Sequence, residues 1–125
     1  MPELIRVRSL ADDPRLADYA NLTDVALRRR LEPAGGLSVA EGLKVLRRAL
    51  EAGHSPRSAL VLDRRADEVV AALGDRGTTV FVGDGPALAA LAGFDVHRGV
   101  LAAMHRPALP DPLELIRDAR TVVVL

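Results

Sequence analysis

Clustered cationic side chains are the feature of this sequence that points most directly to chemistry. Lys44, Arg47 and Arg48 are spaced i, i+3 and i+4, so a helix would present them on one side. Further basic residues form three short groups: Arg28, Arg29 and Arg30; Arg64 and Arg65; His97 and Arg98. Arginine makes bidentate hydrogen bonds to phosphate and stacks on bases, and both properties suit RNA. The competing interpretation is a solvated helix face on which Glu41 and Glu51 pair with these cations.

A glycine-containing turn is a second candidate for phosphate binding, but its motif is incomplete. Gly83-Asp84-Gly85 separates an apolar run from a helix-like segment, where a phosphate could meet free helix N–H groups. A dinucleotide-binding fingerprint requires a further glycine at position 88, which is Leu88, and no phosphate-loop lysine follows. The pattern therefore favours a plain turn in which Asp84 caps the next helix.

Metal and hydrolytic chemistry find no support in the sequence. The three histidines, His54, His97 and His105, are not spaced i+3 or i+4 from one another, and no carboxylate stands at metal-ligand spacing. The chain has no cysteine, which excludes disulfides and thiolate ligands, and no serine lies in a nucleophile-elbow motif. We therefore predict neither catalytic residues nor metal ligands.

Length, composition and charge predict one packed domain. The chain has 125 residues, with 17 Lys and Arg against 17 Asp and Glu, and 49% of its residues are hydrophobic. A net charge near zero means that any surface for a polyanion has to be local. The sequence shows no apolar run long enough for a membrane span and no secretory leader, so we expect a cytoplasmic protein.

Short apolar runs alternate with helix-like segments along the chain. Strands are predicted at residues 59–62, 78–82 and 99–104, and helices at residues 14–30, 39–50, 66–73 and 86–91. This alternation predicts an α/β domain with helices on both faces of the sheet. At the start of the second helix Ser38 and Glu41 match a capping box, although residues 36–39 could equally form a short strand.

The segment after residue 106 has a different character. Three prolines lie between positions 107 and 112, a short helix is predicted at residues 113–118, and the run 121–125 has the pattern of a buried strand. A strand of this type with no helix after it normally begins another unit. We therefore expect this chain to be part of a longer protein.

Three motifs follow one another between residues 21 and 102. They are Asn21-Leu22-Thr23-Asp24, then Val39-Ala40-Glu41-Gly42, then Gly93 to Ala102 with the core His97-Arg98-Gly99-Val100-Leu101-Ala102. The second and third lie roughly 55 residues apart, with two strand–helix units between them. Together they resemble the N-terminal substrate-binding domain of SpoU/TrmH-family (SPOUT) RNA 2′-O-ribose methyltransferases. Ser38 departs from that family, which tends to have a bulky apolar residue there, and this departure favours the capping box.

The resemblance implies an α/β/α sandwich with a small mixed sheet, similar to RNA-binding ribosomal-protein-like domains. It implies an RNA substrate-binding domain over residues 1–106, a linker over 107–120, and at 121–125 the first strand of an absent SPOUT methyltransferase domain. The parent enzyme would use S-adenosylmethionine to methylate rRNA or tRNA and would form a homodimer through the absent domain. This chain alone would bind no cofactor and would be inactive.

In RNA-binding sandwiches of this kind, the start of the helix after a glycine and the neighbouring loops face the RNA. The candidate RNA-binding residues are Arg28, Arg30, Gly42, Lys44, Arg47, His97 and Arg98. Gly42 and Lys44 stand at that helix start, where N–H groups can meet a phosphate, and His97 could stack on a base. Two alternatives stay open: a stand-alone RNA-binding protein, and a protein-interaction or dimerisation module that pairs through residues 121–125.

Overall fold

The computed structural model describes residues 2–125. The strands are β1 (Glu3–Arg6), β2 (Leu37–Glu41), β3 (Pro56–Leu62), β4 (Thr79–Gly83) and β5 (Val100–His105). The α-helices are α1 (Val25–Ala34), α2 (Leu43–Glu51), α3 (Ala66–Leu73), α4 (Gly85–Ala92) and α5 (Pro112–Ile116). Short 3₁₀ helices cover Leu10–Asp12, Pro14–Tyr19 and Asp63–Arg65.

The five strands form one mixed sheet in the order β1-β4-β3-β5-β2. β1, β4 and β3 are parallel, whereas β5 runs antiparallel to both β3 and β2. β2 therefore runs in the same direction as β1, β3 and β4. As a result, the carboxyl ends of β1 to β4 and the start of β5 lie at the same edge of the sheet.

Helices cover both faces of this sheet. On one face the 3₁₀ helix Pro14–Tyr19 and α4 bury Leu16, Tyr19 and Leu88 against Phe81 of β4. On the other face α2 and α3 contribute their buried leucines and valines, Leu43, Leu46, Val69 and Leu73, to a second apolar cluster. The structure therefore confirms the predicted α/β/α sandwich with a small mixed sheet.

The N-terminal quarter of the chain differs from its prediction. No pattern in the sequence predicts β1, a four-residue edge strand that pairs with β4 and leaves Leu4 exposed. The predicted helix at residues 14–30 consists of the 3₁₀ helix Pro14–Tyr19 and α1, separated by a turn. Asn21 in that turn has a left-handed backbone with φ 57°, a conformation that asparagine tolerates better than most residues.

The prediction of a capping box at Ser38 and Glu41 is wrong. Both residues lie in β2, where Ser38 is opposite Met104 and Glu41 is opposite Leu101 of β5. Pairing with β5 satisfies the backbone of this segment, which outweighs its helix-like apolar spacing. The helix begins only after Gly42, whose φ of 93° and ψ of 150° turn the chain out of the strand.

Tyr19 completes the hydrogen bonding where β3 has a bulge. The register of β3 against β5 shifts between Pro56 and Ser58. The buried Tyr19 hydroxyl shares a hydrogen bond of 2.6 Å with Ser58 Oγ and accepts one of 3.3 Å from the N–H of Ala103. Burial raises the pKa of the Tyr19 phenol, so that the neutral form is favoured in the folded chain.

Beyond Arg106 the chain is exposed throughout. α5 places Leu113, Leu115 and Ile116 in solvent, and residues 121–125 form no strand with any part of the chain that the structure describes. The expectation that residues 121–125 begin a second domain stays a prediction. Among residues 2–125, no helix has both the length and the apolar character that crossing a membrane requires.

Candidate nucleic-acid interface

Sheet topology brings together the two motifs that lie roughly 55 residues apart in sequence. Gly42 follows the end of β2, and His97 and Arg98 precede the start of β5. Because these two strands are antiparallel neighbours, the end of one lies beside the start of the other. The Gly42 N–H donates a hydrogen bond of 2.9 Å to the carbonyl oxygen of Val100.

The Arg98 side chain lies over Gly42. A Cβ placed on Gly42 would be 3.4 Å from Cδ and 3.8 Å from Nη1 of Arg98. The backbone of Gly42 also has a positive φ of 93°, which L-residues rarely adopt. The turn into α2 therefore requires glycine, and the Arg98 side chain packs against it at van der Waals distance.

A cationic groove runs along α2 from this point. Its lining consists of Leu43, Lys44, Arg47, Arg48, Glu51 and Arg65, that is, four cations and one carboxylate. Lys44, Arg47 and Arg48 are exposed, whereas Leu43 and Leu46 of the same helix are buried. The predicted division of this helix into a basic and an apolar side is therefore confirmed.

The alternative in which glutamates neutralise the α2 cations is not what the structure shows. Among residues 2–125, no ion pair joins Lys44, Arg47 or Arg48 to Glu41 or Glu51. The three basic side chains are therefore available to an external anion.

No side chain caps the start of α2 among the residues that the structure describes. Aspartates cap α1, α4 and α5, and Asp84 accepts a hydrogen bond of 2.8 Å from the N–H of Ala87, as predicted for that turn. At α2 the N-cap is Gly42, which has no side chain to bind the N–H groups of the first turn. These N–H groups carry partial positive charge and lie next to Lys44, so together they suit a phosphate.

Besides Arg48, two arginines outside the predicted set of RNA-binding residues join this region. Arg65 lines the groove beside α2, and the Arg64 guanidinium donates a hydrogen bond of 3.0 Å from Nη2 to the carbonyl oxygen of His97. Their only signal in the sequence is a basic pair that directly follows a predicted strand. The order of strands, which the sequence does not reveal, places that pair beside β5 and α2.

Arg28 and Arg30 lie apart from the other candidates. Arg28 donates from Nε to Glu32 at 2.6 Å and from Nη1 to the Leu22 carbonyl oxygen at 3.1 Å. Glu32 also pairs with Arg106, which follows the last residue of β5 at the opposite edge of the sheet. Arg30 is exposed on the same helix as Arg28. The structure therefore brings together Gly42, Lys44, Arg47, His97 and Arg98, but not Arg28 and Arg30.

Other polar groups at this edge are paired or isolated. Arg6 at the end of β1 pairs with Asp63 after β3, and the hydrogen bond from Arg6 lowers the pKa of the Asp63 carboxyl. Residues 2–125 contain no group of three or more His, Cys, Asp or Glu side chains that could hold a metal ion.

Proteins of similar sequence are named as tRNA/rRNA methyltransferases. An uncharacterized tRNA/rRNA methyltransferase of Mycobacterium bovis is 35% identical over 114 residues, which is 91% of this chain and 40% of that protein. One of Mycobacterium tuberculosis matches with the same identity and coverage. The chain is related to tRNA/rRNA methyltransferases. It spans about 40% of the length of these curated relatives, and no protein-family profile matches the sequence.

Solved structures share the fold. An rRNA methyltransferase from Sinorhizobium meliloti aligns with a TM-score of 0.63 and 22% identity over 94% of this chain and 40% of that one. Its AdoMet-bound form aligns with a TM-score of 0.62 over 86% of this chain and 38% of that one, again at 22% identity. An RNA 2′-O ribose methyltransferase aligns with a TM-score of 0.56 at 26% identity, covering 86% of this chain and 40% of that one.

Proposed function

We propose that this chain is the RNA-binding domain of an RNA 2′-O-ribose methyltransferase of the SpoU/TrmH type. The observation that carries the proposal is the cationic groove beside the uncapped start of α2, with Arg98 lying over Gly42. The names of the relatives, tRNA/rRNA methyltransferases, support the choice of RNA as the polyanion.

In the proposed complex a backbone phosphate lies at the start of α2. The free N–H groups of the first turn and the Lys44 ammonium would bind it, and Arg47 would meet the next phosphate along the groove. Arg65, whose Nη1 pairs with Glu68 at 2.9 Å, would add a contact from its remaining N–H groups. Arg98 would close the end of the groove over Gly42. His97 is exposed and could stack on an unpaired base.

The proposal assigns methyl transfer to residues outside this chain. S-adenosylmethionine has a net positive charge, from a sulfonium and an ammonium group against one carboxylate, and a groove lined by four cations and one carboxylate repels that net charge. The residues present therefore do not fit that cofactor, and we derive no step through it. Residues 1–106 would bind RNA, residues 107–120 would be the linker, and residues 121–125 would begin the catalytic domain, through which the parent would form a homodimer.

A second candidate function is supported by the exposed C-terminal segment. Val123 and Val124 are 74% and 91% exposed, and α5 leaves its apolar side chains in solvent. Such a segment could pair with a partner or with a second copy of this chain, as an interaction module would. A stand-alone RNA-binding protein is the third possibility. It differs from the proposed methyltransferase domain only in whether the gene also encodes a catalytic domain.

Two experiments test the proposal. Fluorescence anisotropy with labelled tRNA and with hairpins of rRNA should show binding that weakens steeply with salt, because phosphate contacts release counterions. The absence of binding to either RNA in low salt would contradict it. Sequencing the gene beyond the Leu125 codon tests the catalytic part. About 130–150 further codons for an α/β domain would support it, whereas a stop codon there would favour the stand-alone protein.

A further inference from the structure

The loop that carries His97 and Arg98 is held at its end by backbone hydrogen bonds. The Leu62 N–H donates to the Gly99 carbonyl oxygen, and the Gly42 N–H donates to that of Val100, both at 2.9 Å. These bonds fix the loop to the end of β3 on one side and to the end of β2 on the other. A third bond, 2.9 Å from the Gly99 N–H to the Val96 carbonyl oxygen, closes the turn that contains His97 and Arg98. None of these bonds is made by a backbone group of His97 or Arg98.

Arg64 is the residue that reaches further into this loop. Its guanidinium crosses from the 3₁₀ helix Asp63–Arg65 to the His97 carbonyl oxygen, with an Nη2 to oxygen distance of 3.0 Å. Within residues 2–125 this is the one hydrogen bond that the structure shows to either His97 or Arg98. The next residue, Arg98, is the one whose side chain lies over Gly42.

We propose that Arg64 is a positioning residue of the RNA surface, which acts by holding the His97 carbonyl so that Arg98 stays over the start of α2. The inference rests on the proposed function and deepens it. Arg98 and His97 are exposed side chains on a loop, and ordering them on binding would cost conformational entropy. The hydrogen bond from Arg64 to the His97 carbonyl oxygen is present before RNA binds, so it removes part of that entropic cost.

Arg64 is itself exposed and cationic, so a plain phosphate contact has to be distinguished from positioning. A double-mutant cycle with R64A and R98A, measured by anisotropy with labelled tRNA, makes this distinction. If Arg64 positions Arg98, the affinity loss caused by R64A shrinks by at least about threefold when Arg98 is already alanine. Equal losses in both backgrounds would overturn the proposal and leave Arg64 as an independent charge.

Arg48 provides a matched control. It is another exposed arginine of the same region, and it makes no hydrogen bond to the loop among the described residues. R48A and R98A should therefore lower affinity additively. A coupling of R48A to R98A as large as that of R64A would show that the cycle reports general electrostatics, and this too would overturn the assignment.

A second readout requires no RNA. ¹⁵N relaxation should give backbone order parameters for His97 and Arg98 near those of a rigid backbone, about 0.85, and R64A should lower them toward about 0.6. R48A should leave these order parameters unchanged. Unchanged order parameters in R64A would overturn the proposal that Arg64 holds the loop. If the wild-type chain bound no RNA, the proposed function would fail, whereas the relaxation data would still decide whether Arg64 orders the loop.

Discussion

Arg98 covers the backbone of Gly42, with its Cδ 3.4 Å from the point where a Cβ on that residue would lie. The two residues are far apart in sequence and meet because β2 and β5 are antiparallel neighbours. Gly42 also begins α2, the helix that carries Lys44 and Arg47. One contact therefore links the loop before β5 to the cationic groove.

Replacement of Gly42 by alanine should harm both stability and RNA binding. The φ of 93° and ψ of 150° belong to a region that is nearly restricted to glycine, so we expect a loss of about 1–3 kcal/mol in the free energy of unfolding. Relief of that strain would also move the turn into α2, against which the Arg98 side chain packs. Urea unfolding and anisotropy with labelled tRNA measure the two effects.

Gly53 is the matched control for this substitution. Its φ is 87°, and a Cβ there would meet nothing within 4 Å. G53A should therefore destabilise the fold without weakening RNA binding. If G42A and G53A bound RNA equally well, the geometry of the turn at Gly42 would have no part in recognition.

Charge reversal at Arg30 tests how far the RNA surface extends. Arg30 lies on α1, outside the groove. R30E should therefore weaken tRNA binding by no more than about threefold, which is less than charge reversal within the groove. The reason is that salt screens the interaction between exposed charges beyond about 10 Å. An affinity loss equal to that of a groove variant would instead mean that the RNA crosses from α2 to α1.

Substitution of Tyr19 by phenylalanine tests the buried hydrogen bonds at the β3 bulge. Loss of the hydroxyl leaves Ser58 Oγ and the Ala103 N–H without this partner, which should cost about 1–3 kcal/mol in the free energy of unfolding. Urea unfolding at neutral pH measures this loss. A change below about 0.5 kcal/mol, the range of ordinary surface substitutions, would contradict the assigned bonds.

The same variant should change the response to alkaline pH. Burial raises the folded-state pKa of Tyr19, so its contribution to stability is full below the unfolded pKa of about 10 and is lost as the pH rises above it. Between pH 9 and 11 the wild type should therefore lose stability faster than Y19F, with a difference of up to about 1.4 kcal/mol per pH unit. Parallel pH profiles would show that Tyr19 ionises as readily in the folded chain as in the unfolded one.

Removal of residues 107–125 tests the boundary of the domain. These residues are exposed, and both apolar clusters of the core lie before them. The chain 1–106 should therefore unfold within about 2–4 °C of the full chain, less than the shift from 1 kcal/mol in a domain of this size. A larger loss would show that the segment belongs to the fold.

Light scattering on these two chains tests the interaction module. A dimer that forms with the full chain and dissociates on removal of residues 107–125 would favour pairing through residues 121–125. Two monomers, the result that we expect, would remove that function.

The sequence allowed prediction of the features that depend on local pattern. The apolar runs 59–62, 78–82 and 99–104 correspond to β3, β4 and β5, and the i, i+3, i+4 spacing places Lys44, Arg47 and Arg48 on one side of α2. Asp84 caps α4 as its position after a strand predicts. Buried strands and helix caps are determined by neighbouring residues, so a single sequence is enough to find them.

Features that depend on the order of the strands in the sheet could not be predicted from the sequence. β1 is a short edge strand without alternation, and β2 has a helix-like apolar spacing that pairing with β5 overrides. For the same reason Arg64 and Arg65 were not among the predicted site residues, because only the placement of β3 beside β5 brings them to the groove.

The most direct test of the proposed RNA surface is a salt titration of tRNA binding with the K44E/R47E double variant. We expect at least about a tenfold loss of affinity and a plot of log K against log salt that is less steep by about 2, one unit for each lost phosphate contact. R117E/R120E, which reverses two exposed arginines in the segment after β5, should stay close to the wild type. Wild-type affinity and slope for K44E/R47E would contradict the assignment of RNA binding to the α2 groove.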